Sequence, residues 1–151
     1  MPVHDERRVL PYAPQALFDL VADVAKYPEF LPWCPAARIR SHQGDVIVAD
    51  LVIGHGFIRE RFTSKVTLTR PAAEGGEGRI DVEYIEGPMQ HLTNRWIFRP
   101  VPGGTEIDFH VDFAFRSKML EKLMGLIFHE AVTRMVRAFE TRAAQVLTRS
   151  V

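Results

Sequence analysis

Residues 105–116 (TEIDFHVDFAFR) alternate without interruption between apolar and polar side chains, and a helical pattern of about 30 residues follows directly. That adjacency constrains the fold more than any other feature of the chain. The alternation sets Ile107, Phe109, Val111, Phe113 and Phe115 opposite Asp108, His110, Asp112 and Arg116, as in a strand with one face in an apolar interior. Ser117 then offers an N-cap. Beyond it, apolar residues recur every three or four positions from Leu120 through Ile127, Ala131, Met135 and Phe139 to Leu147. A helix of that length spans roughly 45 Å and needs a broad apolar partner.

Other alternating or β-branched segments supply one. Residues 45–53, 57–69, 79–86 and 91–99 read as strands, and residues 3–10 as a short edge strand. The breaks at Gly54-His55-Gly56, Pro71–Gly78, Gly87-Pro88 and Pro102-Gly103-Gly104 are tight turns or a short loop, which join antiparallel neighbours. Pro14 opens a short amphipathic helix carrying Leu17, Phe18, Val21 and Val24, to about Ala25. Pro28, Pro32 and Pro35 restrict the next stretch to one helical turn around Glu29–Leu31. The expected class is α+β: a curved antiparallel sheet of six to seven strands wrapped around the long C-terminal helix. Without a linker, repeat or low-complexity tract, residues 1–151 read as one domain.

Charge and cysteine content remove several functions. Nineteen Lys+Arg balance nineteen Asp+Glu, whereas a dedicated DNA-backbone binder carries a positive excess. Cys34 is the sole cysteine, so neither an internal disulfide nor a thiolate zinc cluster is expected. The start is charged from its fourth residue, unlike a secretory signal, and no apolar run approaches the ~18 residues that span a bilayer. A cytoplasmic protein, at most peripheral to a membrane, is expected. The six histidines are scattered, and His129-Glu130 is followed by Thr133 and Arg134 where a zinc motif needs a second His, so no metal is expected. A nucleophile elbow and a phosphate-cradling loop are both missing, and the expectation is a non-enzyme.

The inward-facing residues are unusually large: Phe62, Tyr84, Trp96, Phe98, Phe113 and Phe115 from strands, and Met124, Ile127, Phe128 and Met135 from the helix. Either they close-pack into a dry core, or the curved sheet holds the helix off and leaves an apolar cavity that they line. The segment Tyr27-Pro-Glu-Phe-Leu-Pro-Trp-Cys-Pro35 is similarly two-sided. Phe30, Leu31 and Trp33 either plug one end of the core or form the lip of a portal. The loops Gly54–Phe57 and Gly87–Met89 would share such a rim. If Phe62 faces inward, Glu60 and Ser64 do as well. Asn94, Arg95 and Asp50 are further candidates for a polar spot suited to a ligand carbonyl or hydroxyl.

The run Phe18-Asp-Leu-Val-Ala-Asp-Val-Ala-Lys-Tyr-Pro-Glu-Phe-Leu-Pro-Trp-Cys34 carries a resemblance. With Phe62-Thr-Ser-Lys-Val66, Gly87-Pro88, Trp96-Ile-Phe98, Asp112-Phe-Ala-Phe115 and Met135-Val-Arg-Ala-Phe-Glu-Thr-Arg142, it resembles the coenzyme-Q-binding branch of the START-like superfamily, across residues 3–148. That branch includes a mitochondrial coenzyme Q chaperone and bacterial ribosome-association toxins. Met89 departs from the Phe more usual after Gly-Pro but keeps the position apolar. The resemblance implies a helix-grip fold with a hydrophobic tunnel. It implies non-catalytic binding of ubiquinone or a related polyprenyl lipid in support of respiration, with no cofactor beyond that cargo and transient contact with a membrane surface. Helix and strand phase nominate Leu31, Trp33, Phe62, Tyr84, Trp96, Phe98, Phe113, Phe115, Met124, Ile127, Phe128 and Met135 as ligand contacts, with Glu60 and Asn94 as polar candidates. Two other functions remain open: a ribosome-binding protein using Arg59, Arg61 and Lys65 on the outer sheet face, and a cyclase or aromatase working through Glu60.

Overall fold

The computed structural model describes residues 3–31, 34–55, 58–71 and 76–147. Seven antiparallel strands form one sheet: β1 (Val3–Leu10), β2 (Ala36–Gln43), β3 (Val46–His55), β4 (Ile58–Thr69), β5 (Gly78–Glu86), β6 (Met89–Val101) and β7 (Gly104–Phe115). Their order is β1-β7-β6-β5-β4-β3-β2, so β2 through β7 make an unbroken meander and β1 closes onto the last strand. Between β1 and β2 lie α1 (Pro14–Ala22) and a 3₁₀ segment, Val24–Glu29. The terminal helix, α2, runs Lys118–Val146.

The expected antiparallel sheet and long helix are both present, and β2 is an addition. Its sequence, AARIRSHQ, carries a single large aliphatic side chain, Ile39, and lies at the sheet edge with most side chains exposed. It is tied to its neighbours by polar contacts on the outer face. Asp50 of β3 accepts from Thr63 Oγ1 at 2.5 Å and from Arg40 Nε at 2.8 Å. Those bonds, Thr63 first, hold the Asp50 carboxyl below its usual pKa. Asp50 is therefore an outer-face residue, not part of an interior polar spot. Arg95 is excluded for the same reason: its neighbours Asn94 and Trp96 point inward, and successive strand residues face opposite ways.

Register shifts bend the sheet at three places: Ile39/Ser41, between Thr63 and Ser64 against β5, and Met89/His91. Each bulge locally increases twist and curvature. The last two flank the β5–β6 turn, where Gly87 has φ 147° and a Cβ would lie 2.6 Å from Phe62 Cβ. Only glycine lets that turn close onto β4.

Helix α2 begins as expected, with Leu120 N donating to Ser117 Oγ at 3.2 Å. Its burial is uneven. The buried residues are Val132, Val136, Phe139 and Ala143, all in the second half. Phe139 sits among Tyr27, Phe30 and Trp96, with ring centroids 5.5, 5.2 and 5.2 Å away. Trp96 in turn packs on Phe109 at 4.6 Å and lies parallel to Phe98. The principal core joins these rings to Leu17, Phe18 and Val21 of α1 and to Leu68 and Ile80 of the sheet.

Replacing Phe139 with Ala should destabilise the protein by about 3–5 kcal/mol, because the rings of Tyr27, Phe30 and Trp96 lose their common wedge. Leu126→Ser, on the exposed side of the same helix, should change stability by about 0.5 kcal/mol or less. Denaturant melts of the two variants measure the difference.

Candidate functional site

Where α2 loses its buried residues, the sheet and helix separate. The gap is a cavity of about 310 Å³ bounded by β3, β4, β6, β7 and the first half of α2. Phe62, Phe113 and Phe115 form its sheet wall together with Ile53, Met89, Leu92 and Val111. Leu120, Leu123, Met124, Ile127, Phe128, Ala131 and Met135 form its helix wall. Phe113 spans the two sides, its ring 5.3 Å from Phe128 and 5.7 Å from Phe115. At one rim stand Glu130 and Arg134, paired at 2.7 Å with side chains 67% and 65% exposed. The cavity therefore opens to solvent along that side of the helix.

Of the residues nominated from sequence, Phe62, Phe113, Phe115, Met124, Ile127, Phe128, Met135 and Glu60 are brought together on this wall. Tyr84 stands behind it: it packs on the Phe62–Met89–Phe115 cluster, and its hydroxyl accepts from Met89 N at 3.1 Å. Trp96, Phe98 and Leu31 lie instead in the close-packed core. Asn94 faces inward but is spent on scaffolding. Its Oδ1 accepts from Trp96 Nε1 at 3.0 Å and its Nδ2 donates to the His110 carbonyl at 2.8 Å. Trp33 lies outside the described residues, as do Pro32, Gly56, Phe57 and part of the loop before β5.

The wall residues that sequence reading passed over are mostly plain aliphatics: Ile53, Leu92 and Val111. Leu92 shares a strand face with Trp96 and Val111 with Phe113, and Ile53 lies opposite the nominated Glu60; that shared phase was the signal available. Met89 and Gly54 fall where the two apolar loops were expected to reach a rim.

The proline-rich segment closes the opposite end of the molecule. The Tyr27 hydroxyl donates to the Val21 carbonyl at 2.5 Å, and burial raises that phenol above its ordinary range. Phe30 packs on Phe139 and under the Arg142 guanidinium, 5.3 Å from its ring centroid. Arg142 also pairs with Glu29 at 2.9 Å. Tyr27, Glu29 and Phe30 thus grip the anchored half of α2. The plug reading fits these contacts; a portal lip at Phe30 and Leu31 does not.

The family model described as polyketide cyclase/dehydrase and lipid transport matches residues 10–140. The chain belongs to that family. A ribosome association toxin, RatA, of Rickettsia prowazekii is 41% identical over 140 residues, covering 93% of this chain and 94% of that protein. A mitochondrial coenzyme Q-binding protein, COQ10 homolog B of Xenopus laevis, is 31% identical over 153 residues, covering 97% of this chain and 59% of its own length. A START superfamily protein of Mycobacterium smegmatis shares the fold with a TM-score of 0.73 at 17% identity, over 95% of this chain and 98% of that one. The resemblance to the coenzyme-Q-binding START-like group and the helix-grip architecture both hold.

Cys34 reports on the plug. It is 1% exposed, and burial pushes its thiol up to about 11. Alkylation by iodoacetamide near neutral pH should be negligible in the folded protein and complete in denaturant. Rapid labelling of native protein would mean that the plug opens.

Proposed function

We propose that the cavity holds the ring and first isoprene units of a prenylated lipid such as ubiquinone, and that the protein acts as a non-catalytic carrier supporting respiratory electron transport. The observation that carries this reading is the unfilled apolar space under the first half of α2. Its size supports a partial guest, since small-molecule sites run ~300–1,000 Å³ and 310 Å³ is at the lower end. A long polyprenyl tail would leave past Glu130 and Arg134. Each methylene removed from water contributes about 0.8 kcal/mol, so two or three enclosed isoprenes account for micromolar-class affinity before association costs. The name of the coenzyme Q-binding relative agrees with this cargo.

The rim also suits a membrane surface. Met119 and Leu126 are 73% and 80% exposed, and each stands one turn from a cavity-lining residue, Leu123 and Glu130 respectively. Lys118 and Lys122 lie exposed beside them. An apolar pair flanked by lysines fits the interface of an anionic bilayer. No helix among the described residues is long and apolar enough to cross a membrane. The double variant Met119→Asp, Leu126→Asp should lose sedimentation with phosphatidylglycerol vesicles while keeping its melting behaviour.

A second reading, ribosome association, is favoured by the name of the Rickettsia relative. Arg61 and Lys65 are exposed on the outer sheet face, away from the cavity. Charge reversal there separates the readings, because it leaves the cavity intact. The family description also names cyclases and dehydrases. An acid/base mechanism needs two positioned groups, and among the described residues the enclosed wall offers Glu60 alone.

Organic extracts of purified protein should yield a prenylated quinone by mass spectrometry. Ala131→Trp, which fills the cavity from the helix side, should reduce binding of a short-chain ubiquinone at least about tenfold with little loss of stability. Protein that extracts clean and gives no quinone titration would remove the carrier reading.

A further inference from the structure

Among the described residues, the charged groups lining the cavity are Glu60, Glu130 and Arg134. Glu60 faces inward from β4, opposite Ile53 in the ladder. Among the described residues its carboxylate accepts no hydrogen bond and forms no ion pair. Glu130 and Arg134 are already paired with each other at the rim. Asn94, the other inward polar candidate, is committed to Trp96 and His110. The unpartnered Ser64 hydroxyl, one inward step beyond Phe62, is buried and lies outside the cavity lining, so on the lining itself a ring head beside Phe62 and Ile53 meets an acceptor and no unengaged donor.

An ionised carboxylate can only accept hydrogen bonds. The carbonyl oxygens of a quinone also only accept. Setting one against the other on an apolar wall displaces water from both without a bond between them, at a cost that burial increases. The hydroxyls of the reduced ring are donors, and an O–H bonded to a carboxylate is among the stronger hydrogen bonds proteins make.

We propose that Glu60 makes the cavity selective for phenolic, hydrogen-bond-donating ring lipids, so that the hydroquinone form of a prenylated ring binds in preference to its quinone form. This rests on reading the cavity as a ring-lipid site. Preference for the reduced form raises the reduction potential of the bound couple, by about 30 mV for each tenfold in affinity ratio. The protein would then hold its cargo reduced.

The test compares three probes with two isoprene units each: the ubiquinone, its quinol kept under argon, and the dimethyl ether of that quinol. The ether retains the apolar bulk and removes both donors. Wild-type protein should bind the quinol about tenfold or more tighter than the quinone, with the ether no better than the quinone. Glu60→Gln, which adds a donor, should gain affinity for the quinone and bring the ratio toward one. Glu60→Leu should lose the preference and bind the quinone at least as tightly as wild type, with near-ultraviolet circular dichroism verifying the fold. Equal binding of quinol and quinone by wild-type protein, or a preference that survives in Glu60→Leu, would overturn the selection while leaving the carrier reading in place. Failure of folded wild-type protein to bind any of the three would overturn both.

Discussion

The rest of the structure depends on one wedge: Phe139, driven between the rings of Tyr27, Phe30 and Trp96. It fixes the second half of α2 against the sheet, and Arg142 reinforces the joint by pairing with Glu29 and covering Phe30. Close packing at that end sets the distance between helix and sheet. The sheet curves at its bulges, and beneath the first half of α2 the space between the two layers is left to a guest.

The proline-rich motif thus acts on the cavity from a distance. Tyr27, Glu29 and Phe30 do not touch it, yet they hold the helix at the height that leaves it open. The chemistry divides accordingly. The anchored end uses aromatic stacking, a hydrogen-bonded phenol and an ion pair, whereas the wall at the other end is, among the described residues, almost wholly aliphatic and aromatic, with the unengaged Glu60 side chain its polar exception. That division favours a guest with a large apolar body and a small polar head over a charged metabolite.

Much of this was legible in the residues, and the limits of the reading have physical causes. The β7 alternation and the Leu120–Leu147 periodicity named the two layers, because one burial period belongs to each kind of element. Strand β2 escaped notice, since AARIRSHQ is held by its neighbours and by Arg40–Asp50 contact more than by an apolar face of its own. Periodicity also tells which face a residue occupies but not how far along the strand it lies. Trp96, Phe98 and Phe113 share an inward orientation, yet the first two fall in packed core and the third on the cavity wall. Their fates differ because the helix stands at different heights above them, a long-range property set by Tyr27 and Phe30. A bias toward large side chains hid Ile53, Leu92 and Val111, although their phase marked them as inward.

The uneven burial of α2 also has a mechanical consequence. Its buried second half is fastened to the core, and its first turn is tied to β7 by the short link through Ser117 and by Phe115 N–H donating to Glu121, so the helix crosses the cavity as a beam held at both ends. A guest of somewhat different girth can be admitted by a small bow of the turns between, without disturbing the rings that hold the far end. Tightness of fit and durability of the fold are thereby uncoupled, and the same framework can be retuned for a different cargo by changing only the side chains along that span.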